Sequence, residues 1–258
     1  MAEKVEFQTY PMDAKWRSPF RYAWGVAATA LSLLFTALLA PVAFVAARAN
    51  RVNTLAWLGR FWAHGLIKIC SVKVEVLGVE NIANLKSGVL FSNHQSFFDV
   101  FAMLAYMPRD TRFVAKKELL KVPAFGYALE HSDHIVIDRD GGGRQIRHAV
   151  EILRSGKNLG IFPEGHRHTD GQVHEFEEGA AWLAILSQRP AVPVAIVGGA
   201  TVLPPSSLFV CPGRTMRIAI GKPIPTAGMR NGDRARLTDR IHSDVSDLYI
   251  NAARSSQP

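Results

Sequence analysis

The sequence predicts an α/β fold, a largely parallel sheet flanked by helices, with an N-terminal membrane-associated two-helix segment. Three observations carry that expectation. Positions 22–47 hold no charged side chain, a run long enough to cross a hydrocarbon core of roughly 30 Å as one helix. From residue 71 onward, short β-branched runs alternate with helix-like stretches, the pattern of strands joined by crossover helices. At 258 residues, 48% hydrophobic and 20% charged, the chain has the composition of a globular protein able to bury a sizeable core. The expected division is a membrane-binding helical segment, 1–70, followed by an α/β domain, 71–258.

The elements follow in order. Lys15, Arg17 and Arg21 precede the uncharged run, and Arg48 and Arg51 follow it. Basic flanks on both sides leave the positive-inside rule without a vote on orientation. Pro41 marks a point where the helix is expected to kink or turn back. In 51–70, Arg60, His64 and Lys68 recur every fourth position, while Leu55, Leu58, Phe61, Trp62, Leu66 and Ile69 cover much of the rest. That is an amphipathic helix whose basic face suits a bilayer surface. A hairpin dipping into one leaflet is the preferred arrangement, with a single full span as the alternative. Ala47-Arg48-Ala49 has a faint look of a signal-peptide cleavage site, but the apolar run is too long and begins too late.

Strands are expected at 72–76, 88–91, 111–115, 134–138, 159–162, 192–197 and 216–220, and helices at 97–107, 116–130, 144–155, 177–188 and 233–252. Leu237, Ile241, Val245 and Leu248 give the last of these an apolar stripe. Pro193 inside a strand predicts an edge position or a bulge. Cys70 and Cys211 are the only cysteines, which excludes a disulfide framework and a four-cysteine zinc site. A net charge of +8 suits anionic lipid, phosphorylated substrates or nucleic acid. No aromatic-interleaved basic stripe accompanies it, so nucleic acid is not expected as a partner.

Two short stretches carry the chemistry. Residues 93–99 read N-H-Q-S-F-F-D, between an expected strand and an expected helix. Ser96 and Asp99 fit a helix capping box. His94 and Asp99 also fit a dyad, in which the carboxylate fixes the imidazole tautomer so that the other ring nitrogen can take a proton from a hydroxyl. Residues 161–168 read I-F-P-E-G-H-R-H, again after a strand. In isolation they are a turn followed by a solvated arginine.

Together the two stretches resemble the glycerolipid acyltransferase family, specifically the bacterial 1-acyl-glycerol-3-phosphate acyltransferases. That family pairs an N-H-x-S-x-x-D block with F-P-E-G-T-R-S about seventy positions further on. Weaker blocks extend the likeness across about 70–226: I-V-I-D-R at 135–139, V-P-V at 192–194, K-K-E-L at 116–119 with Pro123 and Phe125-Gly126, and G-K-P-I at 221–224. The resemblance implies that His94 deprotonates an acceptor hydroxyl and that Asp99 supports it. It implies that Glu164, Gly165 and Arg167 bind the acceptor, with Arg167 and Arg139 on its phosphate, and Lys116 or Lys117 adding a point charge. It further implies fatty acyl transfer from an acyl carrier protein or coenzyme A thioester to the sn-2 hydroxyl of lysophosphatidate. No cofactor is expected, and the enzyme would sit at the inner membrane with its catalytic domain facing the cytoplasm.

Departures from the family pattern bear on the acceptor. His166 and His168 replace the usual threonine and serine, and Glu177-Glu178 stands where a basic residue is common. Another lysophospholipid, or a lyso-aminolipid, is therefore an alternative acceptor, and a non-catalytic lipid-binding protein is the alternative of a different class. His166, His168 and His174 match no zinc spacing, so no metal is expected. Gly141-Gly142-Gly143-Arg144 lacks a nucleotide loop's G-K-[ST] and reads as a surface turn.

Overall fold

Helix α1 (Pro19–Arg48) starts on a proline at its first position, where the missing N–H costs nothing. A computed structural model of the chain describes residues 18–122, 125–137, 143–168, 170–204 and 207–255. The helix continues through Pro41 to Arg48, so the chain does not turn back at the proline. The chain then reverses at Asn50, whose φ of 52° is a left-handed value that asparagine tolerates. Helix α2 (Val52–Ile69) returns along α1. Trp62 Nε1 donates to Thr36 Oγ1 at 2.9 Å, and Gly65 lies so close to the Phe35 ring that a Cβ would overlap it. The two helices thus pack antiparallel as a hairpin. Leu31, Leu33, Leu34, Leu38, Val42 and Val45 of α1 stay exposed, and only 11% of its most apolar window is buried.

The basic face expected on α2 is used differently. Arg60 Nη1 donates to the carbonyl of Met107 at 2.6 Å, and the His64 ring meets Tyr106 edge-on at 5.3 Å. Two of the three basic residues therefore face inward onto the end of helix α3 (Phe97–Tyr106), and Lys68 alone of them is exposed. The reason is local. The last carbonyls of α3 have no intrahelical donor, and a guanidinium from the neighbouring helix supplies one.

Seven strands form one sheet: β1 (Lys73–Leu77), β2 (Val89–Ser92), β3 (Thr111–Lys116), β4 (Ile135–Ile137), β5 (Asn158–Ile161), β6 (Ala191–Val197) and β7 (Thr215–Ile220). Their order is β1-β7-β6-β2-β5-β3-β4. Every pair is parallel except β6 with β7. Each strand lies within one residue of its expected ends. Pro193 is not at an edge, because β6 is internal. It sits where the β6–β7 ladder slips: Val194 pairs with Ile220 but Ala191 bridges Ile224, so 192–193 face 221–223. This is the bulge alternative.

Side-chain alternation divides the core. From β6, Ala191, Ala195 and Val197 join a cluster with helices α5 (Gly143–Arg154), α6 (Glu178–Ser187) and α8 (Arg234–Arg254). Val192, Val194 and Ile196 join α3 and the hairpin residues Ala28, Ala63 and Ile67 on the opposite face. The hairpin and the sheet therefore share one core. The expected helix at 116–130 is instead a 3₁₀ turn, Lys117–Lys121, and a separate α4 (Phe125–Glu130). Pro123 disfavours helix at the residue before it, and Val122 is extended.

Candidate active site

Four adjacent strands, β2, β5, β3 and β4, run parallel, so their carboxyl ends share one edge, where α/β sheets bind ligands. His94 follows β2, and 162–168 follow β5. Lys116 ends β3 and Lys117 follows it, both exposed, two strands from β2 and so roughly 10 Å away in the sheet. Arg139 follows β4 and lies outside the described residues.

The His94–Asp99 dyad is formed. His94 Nδ1 lies 3.1 Å from Asp99 Oδ2. The same oxygen accepts the backbone N–H groups of Gln95 at 2.6 Å and Ser96 at 2.7 Å. The Ser96 hydroxyl accepts from Phe98 N at 3.2 Å, completing a capping box. One carboxylate oxygen therefore makes both the capping contact and the contact with the imidazole. Its backbone donors fix Asp99 independently of the imidazole. With Nδ1 donating to the carboxylate, the lone pair lies on Nε2, which has no partner among the described residues. Asp99 is 1% exposed, and the Phe162 ring stacks on the imidazole at 4.2 Å.

Several residues that hold this loop escaped the sequence reading. Asn93 imitates a strand neighbour: its Nδ2 donates to Ile196 O at 2.9 Å and its Oδ1 accepts from Ile196 N at 2.7 Å. Gln95 Nε2 donates to Tyr249 Oη at 3.0 Å, tying the loop to α8. Gly199 opens the short helix α7 (Gly199–Val202), and a Cβ there would overlap Asp99 Oδ1. That oxygen is buried without a hydrogen-bond partner. The only sequence signals were the asparagine beside His94 and a glycine pair after an apolar strand.

Glu164 couples the two blocks. Its Oε1 accepts the backbone N–H of His94 at 3.1 Å, and His168 N donates to His94 O at 3.1 Å. The carboxyl group is buried, and burial pushes its pKa up to about 8. The backbone N–H groups of His94 and His174 oppose that rise, and the Asp99 and Asp170 carboxylates reinforce it. The structure thus places Glu164 behind His94. Gly165 adopts φ +69°, where Glu177 Oε1 would lie 2.8 Å from a Cβ. Arg167 is exposed, its guanidinium 3.9 Å above the Phe97 ring on the first turn of α3.

Of the three histidines near this block, His168 and His174 stack at 3.7 Å, and His174 Nε2 meets Asp170 Oδ2 at 2.8 Å. Among the described residues no three histidine, cysteine or carboxylate side chains converge as a metal-binding group.

Residues 73–197 match the acyltransferase family's sequence profile. A 1-acyl-sn-glycerol-3-phosphate acyltransferase of Pseudomonas aeruginosa is 32% identical over 69% of this chain and 70% of its own. The sheep alpha form of the enzyme is 28% identical over 84% and 76%. A chloroplastic counterpart of Arabidopsis thaliana is 26% identical over 71% of this chain, which spans 48% of that longer protein. The crystal structure of the 1-acyl-sn-glycerophosphate acyltransferase of Thermotoga maritima superposes with a TM-score of 0.77 at 20% identity, covering 92% of this chain and 99% of that one. With its sheet, its two blocks and these relatives in agreement, the chain belongs to the acyltransferase family that contains the 1-acyl-sn-glycerol-3-phosphate acyltransferases.

Proposed function

We propose that this protein transfers a fatty acyl group from a thioester to the sn-2 hydroxyl of lysophosphatidate, giving phosphatidate. The observation that carries the reading is the His94–Asp99 pair at 3.1 Å, with Nε2 left for a substrate. Nε2 takes the hydroxyl proton as the oxygen attacks the thioester carbonyl carbon. The tetrahedral adduct then collapses, the carbon–sulfur bond breaks, and the thiolate recovers the proton from the imidazolium. Asp99 stabilises the imidazolium while it lasts. No acyl-enzyme forms, and Ser96 is no nucleophile, since its hydroxyl is committed to Leu203 O at 2.9 Å and to the cap.

Arg167, held over Phe97, offers a planar fork of donors to the acceptor phosphate. Arg139 and the lysines at the end of β3 fit the same task. Glu164 and Gly165 shape the loop that carries Arg167. A single-chain acceptor stays in the bilayer, and the exposed apolar face of α1 brings the enzyme to it. The corresponding location is the inner membrane, with the catalytic domain toward the cytoplasm. Acyl carrier protein and coenzyme A thioesters are the two donor classes, and no metal or cofactor takes part.

One observation favours a second acceptor. Glu177 places a carboxylate against Gly165, lowering the positive charge of the acceptor loop. A lysophospholipid with a zwitterionic headgroup could set its cation against that carboxylate, which a phosphate monoester cannot do. The test is an assay crossing lysophosphatidate, lysophosphatidylethanolamine, lysophosphatidylcholine and a lyso-aminolipid with both donor types. The proposal expects lysophosphatidate to give the highest kcat/KM. A preference for another lysolipid replaces the acceptor and keeps the mechanism, and no transfer to any of them leaves a lipid-binding protein.

A further inference from the structure

At the opposite end of the sheet from His94, where β3 begins, a cavity lies between α2 and the strand. Gly59 and Arg60 of α2, Arg109, Thr111 and Arg112 around the start of β3, and His134 line it. Its volume is about 30 Å³, roughly two to three times what one buried water needs. Arg112 is 2% exposed, and its Nη2 has no hydrogen-bond partner. The Thr111 hydroxyl is likewise buried and unpartnered. Two residues that line the cavity thus each carry an unpartnered buried polar atom.

Charge is out of balance there as well. The carboxylate that meets Arg112 is that of Asp133, 3.9 Å from Arg112 Nε and also bonded to Lys157 Nζ, so two cations share one anion. Arg60 directs Nη1 at the neutral carbonyls of Leu104 and Met107, and Arg109 stands exposed at the rim. No carboxylate lines the cavity. His134 adds a donor without charge. Its Nδ1 accepts Phe113 N–H at 2.9 Å, which leaves the proton on Nε2, and burial pushes its pKa down to about 4. Water can complete the hydrogen bonds, but it does not offset buried guanidinium charge.

We propose that this cavity binds a phosphate oxyanion between the guanidinium groups of Arg60, Arg109 and Arg112, apart from the catalytic edge. Guanidinium forks match the geometry of a tetrahedral oxyanion, which would displace the roughly two or three waters the cavity has room for. Two sources share that chemistry, free phosphate and the phosphomonoester headgroup of phosphatidate. Trp57 and Phe61, exposed on the same stretch of α2 and stacked at 5.3 Å, have the character of residues at a membrane interface, which brings a headgroup within reach.

The full-length protein, purified in detergent, is titrated with inorganic phosphate against sodium chloride at equal ionic strength, with thermal midpoint and 31P line width as readouts. An Arg167→Ala background weakens the proposed acceptor site, and the Arg109→Gln comparison made within that background reports on this cavity alone, so its failure is distinguishable from failure of the catalytic reading. A parallel arm compares nanodiscs of phosphatidylcholine with nanodiscs containing phosphatidate. Arg109→Gln, at the exposed rim, is the diagnostic variant, and Arg112→Gln is added where it folds. The proposal expects a phosphate-specific rise in the midpoint that weakens about tenfold in Arg109→Gln, as for loss of a charge-assisted contact. A response to phosphatidate alone, also lost in Arg109→Gln, assigns the site to a lipid headgroup. Responses that are absent, or unchanged in Arg109→Gln, overturn the proposal and leave the cavity to water.

Discussion

The two blocks that form the catalytic edge are built differently. N-H-Q-S-F-F-D is held from every side: Asn93 by β6, Gln95 by Tyr249, Ser96 by Leu203, and Asp99 by two backbone N–H groups and Gly199. In F-P-E-G-H-R-H only the first half is buried. Glu164 is fastened beneath His94, whereas Arg167 is exposed and rests on Phe97 alone among the contacts described. Proton transfer demands a geometry fixed to fractions of an ångström, while recognition of a headgroup can be met by a mobile cation. Under the proposed roles of His94 and Arg167, the contrast implies that acceptor preference can change without disturbing the base.

Substitutions can break or sharpen that contrast. His94→Gln removes the base and is expected to lower kcat by about 10²–10⁴-fold while membrane binding and thermal midpoint hold. A loss below tenfold would end the assignment. Gly199→Ala comes next. Its methyl group would overlap Asp99 Oδ1, so the carboxylate must leave Nδ1. A displacement of that order costs up to about 10²-fold in kcat, with both KM values unchanged. Full activity would mean that α7 moves aside instead.

Arg167→Ala tests the exposed half. It should raise KM for lysophosphatidate about tenfold and leave kcat nearly unchanged, the signature of lost uniform binding. If kcat fell with KM constant, Arg167 would belong to the transition state.

Glu164→Gln has the smallest effect and concerns stability. The carboxyl's ordinary value is 4.5 and its folded value about 8. Between these values the folded chain retains a proton that the unfolded chain has lost, so stability falls as pH rises through that window. Glutamine cannot ionise, yet it still offers an oxygen to His94 N–H. Relative to the native protein, the variant should gain in thermal midpoint from pH 4.5 to 8. Parallel curves would show Glu164 ionised in the fold.

Much of this architecture was legible in the sequence because it is local. Seven β-branched runs marked seven strands, and the amphipathic stripe on 233–252 marked the closing helix. What escaped depends on contacts distant in sequence. No residue in the β7 run announces that β6 meets it antiparallel. Arg60 is 47 positions from the Met107 carbonyl it binds, so its place on a helical wheel could only suggest a surface charge. Pro193 reported a bulge rather than an edge, and telling them apart requires knowing which strand lies alongside. For the site, the motifs put His94 and Asp99 together, as the structure does, but did not reveal that Glu164 supports the histidine loop from below. Gly199 and Tyr249 lie 100 and 150 positions or more from the loop they hold in place, and no local pattern distinguishes them from other buried residues.

The central claim is a single direct transfer in which His94 takes the proton of the acceptor hydroxyl. Its most direct test is a single-turnover measurement of free thiol released from an acyl thioester by excess enzyme, with and without lysophosphatidate, for native protein and His94→Gln. The account predicts release only when native enzyme and acceptor are both present, with protein mass unchanged. A burst of thiol without acceptor, accompanied by an acyl adduct on the protein, would contradict it, as would acceptor-dependent release by His94→Gln at the native rate.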